Sequence, residues 1–155
     1  MGYNVEIVKS TVFIPKEVQP NVLHAWKYIN QPAFDNLKSG GAWTNRGKTK
    51  AWYSWMESNY DETCKSCEDI LDALGFYYDV DDNGDILING YDSKTGDESL
   101  FFVAVANLLP DGVIEWVGED HERWNWEFKN GVMYTNNKPT YSQFLKIYTP
   151  SLLTT

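Results

Sequence analysis

Residues 113–129 read VIEWVGEDHERWNWEFK, the most ordered pattern of apolar and polar residues in the chain. Large apolar side chains alternate with polar ones on both sides of a polar turn, which is the two-residue period of a β-strand. The apolar side chains that share one face are Ile114, Trp116, Trp124, Trp126 and Phe128. The stretch therefore predicts an antiparallel hairpin with strands at 113–118 and 123–129, whose register is fixed by cross-strand aromatic pairs.

Short strands also fit most of the chain between Phe76 and this hairpin. Turn signals such as Asn83-Gly84 separate the apolar runs, and Asn130-Gly131 follows the hairpin. We predict strands at 76–81, 85–91, 99–106, 113–118, 123–129 and 131–135. The short connections between them favour an antiparallel meander.

The first half of the chain begins with a strand whose apolar positions change parity. Tyr3, Val5 and Ile7 alternate with polar residues, and the apolar positions then shift to Val12 and Ile14. This shift indicates a bulge or break near Ser10.

Helices are predicted at three places from apolar residues at three- and four-residue spacing. They run from Val18 to about Asn30, from Ser66 to Leu74 with Gly75 as the stop, and from Thr140 onward. The predicted fold class is α+β, with an antiparallel meander sheet of about five to seven strands and two or three helices packed on one face. We expect one domain spanning residues 1–155.

The charge of the chain is unevenly distributed. The 155 residues include 22 Asp and Glu and 13 Lys and Arg, for a net charge of −9. The segment from Asn36 to Met56 contains four cations and no Asp or Glu. The rest of the chain therefore has nine cations and 22 acids, for a net charge of −13. Because duplex nucleic acids are bound by neutralising phosphates with Lys and Arg, we expect no direct duplex binding. A basic protein or a small molecule is the favoured partner.

Asp79, Asp81, Asn83 and Gly84 match the first half of a calcium-binding loop. The twelfth position of that loop requires a bidentate Glu but is Gly90 here. Asn-Gly between two alternating apolar runs is also the strongest short signal for a hairpin. We interpret the stretch as a hairpin turn, with a weak calcium site as the alternative, and we assign no metal or cofactor.

Signals for catalysis or membrane insertion are weak. The chain lacks the nucleophile elbow, the zinc-protease motif and the dinucleotide fingerprint. Cys64 and Cys67 have the spacing of a redox or zinc pair, but no second pair accompanies them, and we interpret them as core cysteines. We therefore expect no enzyme and no catalytic residue, and keep acid/base hydrolysis by the carboxylates of the hairpin strands only as a reserve alternative. No apolar run reaches the roughly 20 residues of a membrane span and no leader pattern is visible, so we expect a cytoplasmic protein without a membrane partner.

The acids of the hairpin supply the leading candidate for a partner-binding surface. They lie on the face opposite the tryptophans or in the turn, and they are Glu115, Glu119, Asp120, Glu122 and Glu127. Such an acidic face would speed encounter with a basic protein. The leading hypothesis is thus a non-enzymatic acidic protein that docks on a basic partner surface.

The segment from Asn36 to Met56 supplies the alternative. It shows no clean period, and we expect a long loop in which aromatic side chains alternate with cations. Tryptophan can stack on a base and Lys or Arg can pair with phosphate. The candidate residues for an anionic, nucleotide-like small ligand are Trp43, Arg46, Lys48, Lys50 and Trp52.

Four segments of the chain carry a resemblance to a loose group of proteins. At GYNVEI, KAWYSWM, CEDILDALGF and EWVGEDHERWNWEFKNG, the chain resembles the small uncharacterised acidic α+β proteins of bacteria and their phages. The resemblance spans most of the chain and brings no defined activity or site. It implies a protein that binds and blocks another protein, as inhibitors of bacterial defence systems or immunity proteins do.

Overall fold

The computed structural model describes residues 2–136 and 138–139, with the backbone alone at Lys48, Lys138 and Pro139. The strands are β1 (Asn4–Ser10), β2 (Phe13–Ile14), β3 (Gly40–Thr44), β4 (Gly47–Trp52), β5 (Phe76–Val80), β6 (Ile86–Lys94), β7 (Gly112–Gly118), β8 (Arg123–Lys129), β9 (Val132–Thr135) and β10 (Lys138–Pro139). The α-helices are α1 (Gln19–Tyr28), α2 (Tyr60–Thr63), α3 (Cys67–Leu74) and α4 (Glu98–Val105). Short 3-10 segments lie at Lys16–Val18, Pro32–Leu37 and Ala106–Leu108.

The main sheet is antiparallel and runs in the order β10-β9-β8-β7-β1-β6, with β2 and β5 also paired to β6. β1 pairs with one end of β6 and β2 with the other, after a register shift between Ile7 and Lys9. The predicted break in the first strand is thus confirmed. Counted as one broken strand, β1 and β2 make this a sheet of seven strands, and the predicted α+β class is confirmed.

The strand order differs from a simple meander at one point, because β1 lies between β6 and β7. β6 and β7 are both antiparallel to β1 and so run parallel to each other. Parallel strands require a crossover connection, which is usually a helix. The prediction of a strand at 99–106 is accordingly wrong, since α4 makes this crossover.

The hydrophobic core lies between one face of the main sheet and the helices. Trp26 of α1 packs edge-on against Phe101 and Phe102 of α4, with ring centroids 6.1 Å apart in both pairs. Phe102 in turn contacts Trp126 and Phe128 of β8. Burying each such aromatic side chain contributes about 1.5–3 kcal/mol. The sheet face that carries the tryptophans of the hairpin is therefore the covered face.

The segment predicted as a long loop, residues 36–56, contains a second, two-stranded sheet. β3 and β4 pair antiparallel from Gly40 opposite Trp52 to Thr44 opposite Gly47, with a register shift after Ala42. The loop prediction is wrong because neither face of this ribbon is buried along its length, so the sequence lacks an apolar alternation to reveal the strands. The helix predicted from Thr140 lies outside the described residues.

Candidate functional site

Within the described part of the chain, the main sheet is covered by helices on one face only. Alternate residues of β1, β7 and β8 are buried, and the residues between them are exposed or half-buried. We call the face formed by these intervening residues the open face. Its charged members on the central strands are Glu6, Lys9, Asp92, Lys94, Glu115, Arg123, Glu127 and Lys129.

Two acids face each other on neighbouring strands of the open face. Glu6 of β1 is the register partner of Asp92 of β6. Both side chains are exposed, and neither forms an ion pair with a Lys or Arg among the described residues. Like charges directly opposite each other across an antiparallel pair are destabilising. The sheet therefore places two negative charges side by side without a cation from the described chain between them.

A third carboxylate joins this pair at the edge of a shallow cleft of about 180 Å³. Glu6, Asp92 and Glu119 line the cleft together with Asn4 and uncharged residues of β1 and β7, and no Lys or Arg lines it. We call Glu6, Asp92 and Glu119 the acidic cleft. Glu115 is outside this cleft: it lies two residues along β7 from Val117, the partner of Glu6, and its own partner on β1 is Lys9.

Two of the predicted partner-binding acids stabilise the turn between β7 and β8. Glu119 accepts a hydrogen bond from the backbone N–H of Asn4 through Oε1 at 2.6 Å. Asp120 accepts from the hydroxyl of Tyr3 and from the backbone N–H of Glu122. The hydrogen bond from Tyr3 lowers the pKa of Asp120 and raises the pKa of Tyr3 to about 12. Asp120 thus ties the turn to the start of the chain.

The other three predicted acids are spread along the hairpin. Glu115 lies opposite Asn125, and Glu127 lies opposite Val113. Glu122 is exposed in the turn. Among the described residues none of these three carboxylates forms an ion pair. The five predicted acids therefore do not form one cluster, and the acidic cleft includes only Glu119 of them.

Glu6 and Asp92 were missed from the sequence. They lie in different halves of the chain and become neighbours only because β1 enters the sheet beside β6. The alternation of Glu6 with Val5 and Ile7 placed its side chain on the polar face of a strand. No local pattern indicated which strand would lie next to it.

The β3–β4 ribbon carries the residues of the alternative ligand site. Trp43 is 70% exposed, and it lines a cleft of about 420 Å³ together with Lys50, Thr49 and residues of the preceding 3-10 segment. Arg46 lies in the exposed turn at the tip of the ribbon. For Lys48 the structure gives the backbone register, opposite Trp43. Two of the five candidate residues, Trp43 and Lys50, therefore line this cleft.

Two other residues of this segment have structural roles. The ring of Trp52 lies over Gly40, where an added Cβ would meet the indole at 2.1 Å. Lys38 is buried, pairs with Asp35 at 2.8 Å and donates to the backbone oxygen of Asn30 at 2.7 Å. Lys38 is thus not one of the surface cations of a basic loop.

The ribbon is held at its base by a buried carboxylate. Asp97 Oδ2 accepts from the backbone N–H of Ser39 at 3.1 Å and from that of Ser54 at 2.9 Å. The hydroxyl of Ser39 donates to the same oxygen at 2.8 Å. Because Ser39 precedes β3 and Ser54 follows β4, one side chain holds both strands together at the base of the ribbon.

The stretch that resembles a calcium loop forms a hairpin turn between β5 and β6. Asp81 accepts from the backbone N–H of Asn83 at 2.9 Å and of Asp85 at 3.0 Å. The backbone N–H of Asp81 donates to the oxygen of Asp85 at 3.0 Å, which leaves residues 82–84 as the loop of the hairpin. Gly84 alone has a positive φ there, of 86°, so the predicted hairpin turn forms, but not as the two-residue Asn-Gly type. Among the described residues, no group of three or more His, Cys, Asp or Glu side chains is placed to hold a metal ion.

The two cysteines are unpaired and buried in the core beside α3. Burial raises the pKa of the Cys67 thiol to about 12 and also raises the pKa of Cys64. Because the thiolate is the reactive form of cysteine, neither side chain has the ionisation of a nucleophile.

Comparison of the chain with protein-family models, with curated proteins and with solved structures found no match in any of the three. None of the helices in the described part of the chain combines the length and the apolar character required to cross a membrane.

Proposed function

We propose that the protein is a non-enzymatic binding protein that docks on a basic surface of another protein through the open face. The observation that carries the proposal is the direct pairing of Glu6 with Asp92 beside Glu119. A Lys or Arg of the partner placed in this cleft would be attracted by three carboxylates. It would also relieve the repulsion between the paired acids, which adds to the free energy of binding.

The charge distribution of the whole chain supports the same partner class. The net charge of −9 attracts a basic partner from a distance, and this steering raises the association rate at low salt. On the open face, Arg123 and Lys129 lie on β8, away from the acidic cleft, whereas Lys94 lies on β6 two residues from Asp92 and Lys9 lies on β1 opposite Glu115. The three acids of the cleft therefore have cations near them on the strands, but no Lys or Arg lines the cleft itself.

The kind of binding protein is proposed from the resemblance to small bacterial and phage proteins. By this resemblance the protein is an inhibitor of a bacterial defence system or an immunity-type protein, which acts by covering a basic functional surface of its target. We place this activity in the cytoplasm, which the two unpaired cysteines favour.

The proposal is tested by capture with matched variants. The test protein carries Glu6→Gln and Asp92→Asn, and the control carries Glu57→Gln and Glu62→Gln, two exposed acids away from the open face. Wild type and control should retain the same basic protein from a host lysate, and the test protein should lose it. Equal retention by all three proteins would contradict the proposal.

A second function, binding of an anionic small molecule, is favoured by the cleft on the ribbon. Trp43 offers a stacking surface and Lys50 a cation in one cleft of about 420 Å³. This volume lies within the roughly 300–1,000 Å³ of small-molecule sites. Arg46, exposed in the turn at the tip of the ribbon, is a further cation that a phosphate group could meet.

Native mass spectrometry of the protein purified from cells tests this second function. A retained mass of a few hundred daltons that is lost with Trp43→Ala and with Lys50→Ala, but kept with Lys129→Ala, would support it. A retained mass that is unaffected by both ribbon variants would contradict it.

A further inference from the structure

A cleft of about 230 Å³ opens on the covered side of the sheet, where α4 begins. Its walls include three indoles, those of Trp116 on β7 and of Trp124 and Trp126 on β8. The rings of Trp116 and Trp124 are nearly parallel, with centroids 6.4 Å apart, and Trp126 lies 4.7 Å from Trp116 at a tilt of 54°. Because the open face is on the other side of the sheet, this cleft is separate from the acidic cleft.

Trp116, one of the residues that line this cleft, has a buried hydrogen-bond donor without an acceptor. Trp116 is 1% exposed, and among the described residues its indole Nε1 has no hydrogen-bond partner. Buried indole N–H groups are normally paired, as Trp26 is with the backbone oxygen of Phe101 at 2.7 Å. A ligand oxygen in the cleft would supply the acceptor.

A buried carboxylate of the same cleft lacks a cation. Glu98 is 3% exposed and accepts from the backbone N–H of Gly96 at 2.6 Å and from the hydroxyl of Thr95. Among the described residues it forms no ion pair. Glutamates are rarely fully buried unless they are paired. Both donors are uncharged, so they hold the carboxylate in place without supplying a positive charge beside it.

We propose that this cleft binds a small quaternary-ammonium compound that also carries an oxygen, of the choline or betaine class. Indole faces attract such cations through their π electrons, and Trp is the strongest of the aromatic residues in this respect. Glu98 balances the charge of the ammonium group, and Trp116 donates to the oxygen. The cleft is smaller than the roughly 300–1,000 Å³ of drug-sized sites, which restricts the ligand to a single small head group.

Choline and its neutral carbon isostere, in which a tert-butyl group replaces the trimethylammonium group, form a matched pair of probes. We expect choline to bind about tenfold or more tightly than the isostere, since only the charge differs. The readout is the indole N–H resonance of Trp116 in a proton–nitrogen NMR spectrum, assigned by its loss in Trp116→Phe. Choline should shift this resonance.

Variants separate the role of each wall. Glu98→Gln keeps the shape of the side chain and removes its charge, so it should abolish the preference for choline. Trp124→Leu, at a half-buried position, should weaken choline binding about tenfold, and Tyr77→Leu, at an exposed aromatic residue of β5, is the control that should leave it unchanged. If Glu98→Gln fails to fold, as a thermal melt would reveal, Trp124→Leu decides. The proposal would be overturned by any of three results: choline does not bind, choline and its isostere bind equally, or Trp124→Leu leaves choline binding unchanged.

Discussion

Glu6 and Asp92 lie directly opposite each other on β1 and β6, on the sheet face that the described helices leave open. The free protein therefore carries a local electrostatic cost at this point. Two carboxylates opposite each other lower the stability of the free protein, and a Lys or Arg of a bound partner would remove this cost. This relationship leads to the first prediction.

Neutralising one member of the pair should stabilise the free protein. Glu6→Gln or Asp92→Asn is expected to raise the free energy of unfolding by about 0.2–1 kcal/mol at low ionic strength. The gain should shrink at high salt, because the charges are exposed and screened. Urea denaturation at two salt concentrations measures it, with Glu62→Gln as the control expected to change little. Destabilisation by the Glu6 variant would show that the two acids do not repel each other.

The second prediction concerns the base of the ribbon. Asp97→Ala leaves the backbone N–H groups of Ser39 and Ser54 without their shared acceptor, at a cost of about 1.5–3 kcal/mol for the lost hydrogen bonds to a charged group. Amide exchange should accelerate across β3 and β4 more than in β7 and β8. Asp82→Ala, at an exposed position in the β5–β6 turn, is the control. Unchanged exchange in the ribbon of Asp97→Ala would refute this role.

The third prediction is a pH dependence that comes from Tyr3 and Asp120. The pKa of Asp120 is lowered in the folded state, so its contribution to stability is present above the unfolded pKa and is lost as the pH falls through the folded value. The pKa of Tyr3 is raised to about 12, so its contribution is present below about pH 10 and is lost as the pH rises through 12.

Tyr3→Phe removes the hydrogen bond and should flatten both pH dependences. Stability curves of wild type and variant, measured by denaturation from acid to alkaline pH, should differ most in the neutral range and converge at both extremes. Tyr77→Phe, an exposed tyrosine on β5, is the matched control. A constant difference between wild type and Tyr3→Phe at every pH would contradict the assignment.

The hairpin at 113–129 was predictable because its information is local. One face of each strand is buried and the other is not, so the alternation of Trp with polar residues specifies both strands and their register. The strand 123–129 has the predicted bounds, and 113–118 differs from β7 by one residue. Helix α3 was predictable for a similar reason, because its start and end signals lie in the sequence beside it. The structure shows both signals in use: Ser66 accepts a hydrogen bond from the N–H of Asp69, and Gly75 ends the helix with a φ of 100°.

α4 was not predictable in this way because it is buried on nearly every side. Residues 100–106, LFFVAVA, form a continuous apolar run without a helical or strand period, and β-branched residues favoured a strand. The strand order explains why this run is a helix: the chain must cross from β6 to the parallel strand β7, and such a crossover is usually helical. The acidic cleft escaped prediction for the same reason, because the position of β1 in the sheet brings Glu6 to Asp92.

Binding of a basic partner by the open face depends, in this proposal, on the acidic cleft. The most direct test is the dissociation constant of the purified complex with the captured partner, measured at low and high salt. The wild type is compared with Glu6→Gln/Asp92→Asn and with the control Glu57→Gln/Glu62→Gln. We expect an affinity that falls with salt, is weakened about tenfold or more by the first double variant and is nearly unchanged in the second. An affinity that is indifferent to salt and equal in all three proteins would contradict it.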